Sequence, residues 1–374
     1  MRGVCWLLVA ACWLAGCTSK EVVVAHSVPL RAAAEDIAES ELVDVGIVFD
    51  SGVPEGEVDQ QVLEGLIREG TFVQIRRMEA VYLAVLLRDT LRKSGNWGIV
   101  SVTPTATTAA DLSVTGKILR SDGDTLKLHV AATDATGRVW IDKDYDVSTV
   151  ARTFDRQRNP DLDLDPYQDV FNSVANDLAA AFRHLSAAER HEVRTVAGLR
   201  YAAGLSPKAF AGYVTENRDH YEVNRLPAEG DPMFDRTQRV RQREQLFLDT
   251  LGQHYEKFFS EVATSYNGWR QYARKEAIEI REGARWRTGM RVRTTLSSAA
   301  YGEQKLHLET LEDLSSSFDA SIKPIVVEIQ GTQHSLAGTA ALQYAEWQDL
   351  LRKIFITESG FVPEDVQIYT EAEP

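Results

Sequence analysis

Apolar positions recur with a period of two along several short runs and near 3.6 along several longer ones, which reads as an α+β chain. Leu42-Val43-Asp44-Val45-Gly46-Ile47-Val48-Phe49-Asp50 is a mostly apolar strand. Phe72 to Lys93 is predicted helical, because Phe72, Ile75, Met78, Tyr82, Val85, Leu86 and Leu91 follow the helical period. Arg88, Arg92 and Lys93 in its last turns and Gly95 beyond them form a C-terminal signature. Ile99 to Thr103, Leu112 to Leu119, Leu126 to Val130 and Val139 to Val147 then read as strands. Turns at Ser121-Asp122-Gly123-Asp124 and Asp134-Ala135-Thr136-Gly137 make the last three a meander. A strand, a helix and an antiparallel meander predict a small α/β domain over 41–150, with one helix layer on a sheet.

The pattern then becomes mainly helical. Residues 151–166 form a charged linker ending in Asp165-Pro166, and a helical domain is expected over 167–287. Tyr167, Val170, Phe171, Val174, Leu178, Phe182 and Leu185 line one face of its first helix. Short helices broken by Gly198, Gly204, Pro207 and Pro227 are expected over 187–230. A long helix from about Phe234 to Ile280 carries the stripe Phe247, Leu251, Tyr255, Phe258, Val262, Tyr266 and Trp269. A C-terminal strand-helix region over 288–374 holds the strand Pro324 to Ile329 and a helix from Leu336 to Phe355. That helix turns Tyr344, Trp347, Leu350, Leu351 and Ile354 inward.

Composition narrows the class. The chain has 374 residues, 44% hydrophobic and 26% charged, which excludes collagen-like and fully disordered readings. Its formal charge of −14 repels a phosphate backbone, so no nucleic-acid partner is expected.

Residues 1–17 carry the strongest local signal. Arg2 precedes an apolar run from Val4 to Leu14 that is too short to span a bilayer and reads as a signal peptide. The run ends in Leu14-Ala15-Gly16-Cys17, which resembles the lipobox of bacterial lipoproteins. That resemblance implies acylation of Cys17, removal of the preceding segment and attachment to a membrane through the lipidated cysteine. Thr18 rather than aspartate after the anchor implies sorting to the outer membrane, facing the periplasm. Residues 18–40 are expected to be a tether. Cys5 and Cys12 would leave with the leader, so disulfides, thiol catalysis and cysteine-ligated metals are not expected in the mature chain. The element order over 41–150 is loosely similar to the small α/β domains of penicillin-binding-protein activators and the curli-secretion lipoprotein. No residue-level motif of those families is matched, so no functional residue is carried over.

Few constellations suggest chemistry. Asp161-Leu162-Asp163-Leu164-Asp165 opens like a calcium loop, but Pro166 and Asn172 stand where glycine and glutamate would be needed, so it reads as an acidic linker. Glu358-Ser359-Gly360-Phe361 is similar to the catalytic context of lytic transglycosylases, which makes Glu358 a candidate acid of a peptidoglycan-active enzyme. The downstream segments of that family are absent. Neither metal ligands nor a cofactor site is expected.

The best binding candidate is the stretch from Trp269 to Arg293. It sets eight basic residues, among them Arg270, Arg274, Lys275, Arg281, Arg285 and Arg287, against three glutamates, with Trp269, Tyr272 and Trp286 interleaved. It is a candidate contact for anionic lipid, glycan or an acidic partner, the competing reading being a solvated helix face. The expectation is therefore a lipid-anchored envelope accessory protein acting through protein contacts, without catalysis. The alternatives are the Glu358 enzyme or a subunit of an oligomeric secretion or surface structure.

Overall fold

The computed structural model describes residues 28–54, 58–68, 71–148, 165–218, 220–286, 322–329 and 332–360, together with Glu309 and Asp313. Cys17 and the leader lie outside the described residues, as do Asp161, Asp163 and Arg287. The architecture is α+β: an amino-terminal mixed sheet with helices, a mostly helical region, then a strand pair and a helix.

The sheet is built from β1 (Val45–Asp50), β2 (Val100–Val102), β3 (Leu112–Ser121), β4 (Thr125–Asp134) and β5 (Val139–Ser148). Its order is β2-β1-β3-β4-β5, with β1 parallel to both neighbours and the β3-β4-β5 meander antiparallel. Strand β4 alternates as its sequence demands: Leu126, Leu128, Val130 and Ala132 are buried, and the residues between them are not. Gly116 faces the ring of Phe49 directly across the β1–β3 pair, where a Cβ would come 2.4 Å from the ring; the aromatic supplies the packing that glycine lacks.

Two helices precede β2: α1 (Gln60–Arg68), not anticipated from the sequence, and α2 (Val73–Ser94), closed by left-handed Gly95. Helices α3 (Gln168–His184) and α4 (Ala187–Leu205) follow the linker. A reciprocal cap starts α4: Ser186 accepts from the Glu189 N–H, and Glu189 accepts from the Ser186 N–H. Region 187–230 differs from the expected broken helices. Helix α4 runs through Gly198, where a Cβ would lie 3.2–3.3 Å from Gln238 and Phe234, so the glycine serves close helix packing rather than a break. Beyond it, β6 (Val214–Asn217) and β7 (His220–Val223) form a hairpin, its four-residue strands too short and too exposed to give an alternating signal.

Helix α5 (Pro232–Trp286) is the spine of the second half. All seven stripe residues from Phe247 to Trp269 are buried. The last described elements are a hairpin of β8 (Ile325–Ile329) and β9 (Thr332–Leu336), then α6 (Ala340–Ser359), capped by Thr339 and stopped by Gly360. Strand β9, not anticipated from the sequence, takes Leu336, expected as the start of the last helix, which begins at Ala340 instead.

The linker does not divide two cores. One apolar cluster joins Leu83, Leu87 and Val130 of the first region to Phe171, Leu251, Tyr266, Trp347 and Phe355 of the second. Residues 28–40 also differ from the expected free tether. Asn172 Nδ2 donates to the Val28 carbonyl at 2.7 Å, Asn176 Oδ1 accepts from the Arg31 N–H at 2.8 Å, and Leu30 and Ile37 pack on the core. Among the described residues, no helix is long and apolar enough to cross a membrane.

Candidate functional site

The basic stretch begins in the interior. The Arg270 side chain is 0% exposed and meets Asp165, 3% exposed, through two parallel bonds of 3.0 and 2.8 Å. Tyr82 donates to the same carboxylate at 2.6 Å and the Tyr167 N–H at 2.9 Å, while the Tyr266 ring lies 4.4 Å from the guanidinium. Burial alone would raise the Asp165 pKa, but the Arg270 charge and these donors outweigh it and hold the carboxyl below its ordinary value.

Trp269 is buried as well, stacked on Tyr266. One turn on, Arg274 pairs with Asp124 of the β3–β4 turn at 3.3 Å. Trp269 and Arg270 are thus corrected from candidate surface contacts to core residues, and Arg274 is largely taken up inside. Trp269 also belongs to the α5 stripe; for Arg270 and Arg274 the sequence missed this because their acidic partners lie far away along the chain. Lys275 is exposed. Arg281, Arg285 and Trp286 continue α5, and their side chains lie outside the description, as does all of Arg287. Asp165, the last carboxylate of the calcium-like run, has both oxygens engaged by Arg270. Among the described residues, no three His, Cys, Asp or Glu side chains converge on a metal site.

A second buried network lies where α4, α5 and α6 meet the amino-terminal end of the sheet. Glu244 accepts from Tyr201 at 2.7 Å, from Tyr344, and from Thr107 and Gln348 at 3.2 Å each. Burial, then the Glu244 charge, pushes the pKa of both phenols up. Arg241 bonds Asp111 at 2.7 Å and the Ala109 carbonyl at 2.7 Å, and Gln245 donates to Asp44 at 3.0 Å. These groups are mutually satisfied and enclosed, so they position the helices.

Immediately beside this network the surface opens into a groove between α5, β8 and α6, with a cavity of about 350 Å³. Its apolar walls are Phe247, Trp347, Ile325 and Ile354, and the Phe247 and Trp347 rings are stacked with centroids 5.7 Å apart. Leu246 and Val326, 68% and 59% exposed, stand at its mouth. Arg243 and Glu358 form a 3.4 Å ion pair on the rim. Trp347 is only 6% exposed, yet its Nε1–H has no hydrogen-bond partner among the described residues. A buried donor left unpaired costs about 1–3 kcal/mol, and this one is enclosed by its neighbours.

Glu358 is the one sequence candidate that this groove contains. The sequence places Phe247 and Trp347 among the inward positions of their helices. The missed signal is Leu246, an apolar residue off the α5 stripe with no inward role. No protein-family model, curated protein or solved structure matches the chain.

Proposed function

We propose that this chain is a lipid-anchored accessory protein of the bacterial envelope. It is held by Cys17 at the periplasmic face of the outer membrane and acts by protein–protein contact rather than catalysis. The observation that carries this reading is Leu14-Ala15-Gly16-Cys17 directly after an apolar leader. The groove fits the same role: it is apolar, open and walled by aromatic side chains, the composition found at the core of protein contacts.

A second reading has Glu358 as a peptidoglycan-cleaving acid, favoured by its place on the groove. Its neighbours argue against that role. A catalytic acid is normally desolvated and distant from cations, whereas Glu358 is 30% exposed with Arg243 at 3.4 Å.

The test is metabolic labelling with a palmitate analogue, with crosslinking in intact cells. The natural chain should take up label, fractionate with the outer membrane and crosslink to a stoichiometric envelope protein. Cys17→Ser should fold, stay unlabelled and leave that fraction. A soluble Cys17→Ser form with full function would overturn the role of the anchor, and crosslinks to other copies alone would favour the oligomeric alternative. A Glu358→Gln variant that lost muropeptide release seen with the natural chain would establish the enzyme instead.

A further inference from the structure

We propose that the groove receives an extended segment of a protein partner, added along the free edge of β8. One bulky apolar side chain would fill the cavity, and a basic residue would lie beside Glu328. This rests on the accessory-protein reading and names the chemistry of its partner.

Four observations converge on that occupant. First, β8 pairs with β9 on one edge, and among the described residues no strand covers the other. Four consecutive residues, Ile325 to Glu328, run along the groove; the Ile325 N–H is taken by Gln343 Oε1 at 3.3 Å, and an entering strand can use the edge groups beyond it, from Val326 to Glu328. Second, a cavity of about 350 Å³ is at the small end of the roughly 300–1,000 Å³ range of ligand pockets. It has ample room for one bulky apolar side chain. Third, the Trp347 indole lines the cavity, and with its Nε1–H enclosed and unpaired the ring offers an incoming apolar side chain a stacking wall rather than a donor. Fourth, Arg243 is occupied by Glu358, whereas the exposed Glu328 has no cation among the described residues. The lining therefore carries one uncompensated negative charge, which a lysine or arginine flanking the apolar anchor would complement.

The probe is the fluorescein-labelled peptide acetyl-Lys-Thr-Val-Phe-Val-Thr-Lys-amide, titrated into the full chain by fluorescence anisotropy. Hydrogen exchange of β8 is followed in parallel. Saturable binding with slowed exchange in residues 325–329 is expected. Leu246→Asp and Glu328→Lys alter exposed side chains and should leave the fold intact, yet each should weaken binding about tenfold or more. Glu328→Lys should also shift preference toward the same peptide with aspartates in place of its lysines.

No binding, or binding indifferent to both variants, overturns the proposal. Protection of β8 that appears without peptide and grows with protein concentration also overturns it, by assigning the edge to a second copy. The broader reading fails separately: if Leu246→Asp loses the peptide but keeps the crosslinked envelope partner, only the groove assignment falls. If no partner crosslinks while the peptide still binds, the accessory role falls.

Discussion

Replacing Arg270 by methionine tests the interior account of the basic stretch. Methionine preserves most of the side-chain volume and removes the charge, leaving Asp165 almost fully buried beside Tyr82 without its cation. Breaking a buried pair by removing one partner costs about 3–5 kcal/mol. At about 1–2 °C per kcal/mol for a chain of 374 residues, the melting temperature should fall by roughly 5 °C. A surface contact residue would cost within about 0.5 kcal/mol.

The pH dependence separates this mechanism from simple loss of packing. In the natural chain the Asp165 pKa is depressed, so its contribution is fully present above the ordinary carboxylate value. It is lost as pH falls through the folded value. Without Arg270, burial dominates and the carboxyl is pushed up instead, so its cost is imposed above that raised value and relieved below it. Urea unfolding followed by tryptophan fluorescence should therefore show the deficit of Arg270→Met at pH 7 and a smaller one near pH 4. Adding Asp165→Asn should recover a good part of the loss, because no orphaned charge remains. A pH-independent deficit, or one below about 1 kcal/mol at pH 7, would refute the reasoning.

Two further perturbations test neighbouring claims. Burial, then the nearby Asp111 charge, raises the Asp44 pKa, so ionising this group costs native stability as pH rises through the shifted value. Asp44→Asn should thus melt at or above the natural chain at pH 7 and lose that advantage toward pH 4, as scanning calorimetry would record; a clear drop at pH 7 would contradict it. Gly123 has φ +77° and its Cβ would stand 2.2 Å from the Arg270 carbonyl oxygen, so Gly123→Ala should cost about 1–3 kcal/mol. Gly204 in α4 has nothing within 4 Å of a Cβ, and Gly204→Ala should stabilise by up to about 1 kcal/mol, giving opposite shifts in chemical denaturation.

Much of the fold was legible because its longest elements are strongly periodic. The β3–β5 meander and the seven apolar positions of α5 lie where their spacing puts them, and α2 takes its expected span, although its deepest residues include Leu83 and Leu87 while Phe72, Tyr82 and Leu86 of the expected stripe are half-buried. What was hidden has local reasons. Helix α4 looked broken because Gly198 was read as a stop, whereas Phe234 and Gln238 of a helix far along the chain require its missing side chain. Strands β6, β7 and β9 are only four or five residues long and largely exposed, so even the alternating His-Tyr-Glu-Val of β7 is too short a run to mark a strand. Residues 28–40 looked like a tether because their ties to α3 run through backbone groups, which composition does not display. The groove was half legible. Glu358 was noticed, but a cavity walled by Phe247 and Trp347 exists only once α5, β8 and α6 are brought together.

The charges of α5 show why a local charge count misled. Arg241, Glu244, Gln245, Tyr266 and Arg270 each meet a group from another element: Asp111, Tyr201 and Tyr344, Asp44, Glu79, and Asp165 in turn. Apolar packing along a helix of 55 residues would tolerate a one-turn slip fairly well, since aromatic and aliphatic positions recur along the stripe. The polar pairs would not, because a slip strands several buried charges at once, each costing a few kcal/mol. The polar groups therefore specify the register of α5 against the sheet, while the apolar stripe supplies its adhesion. That division explains how basic and acidic residues can sit inside an acidic protein without a ligand to account for them. It also isolates what internal pairing leaves over. Leu246, Val326 and Glu328 serve neither register nor core, and all three lie along one groove.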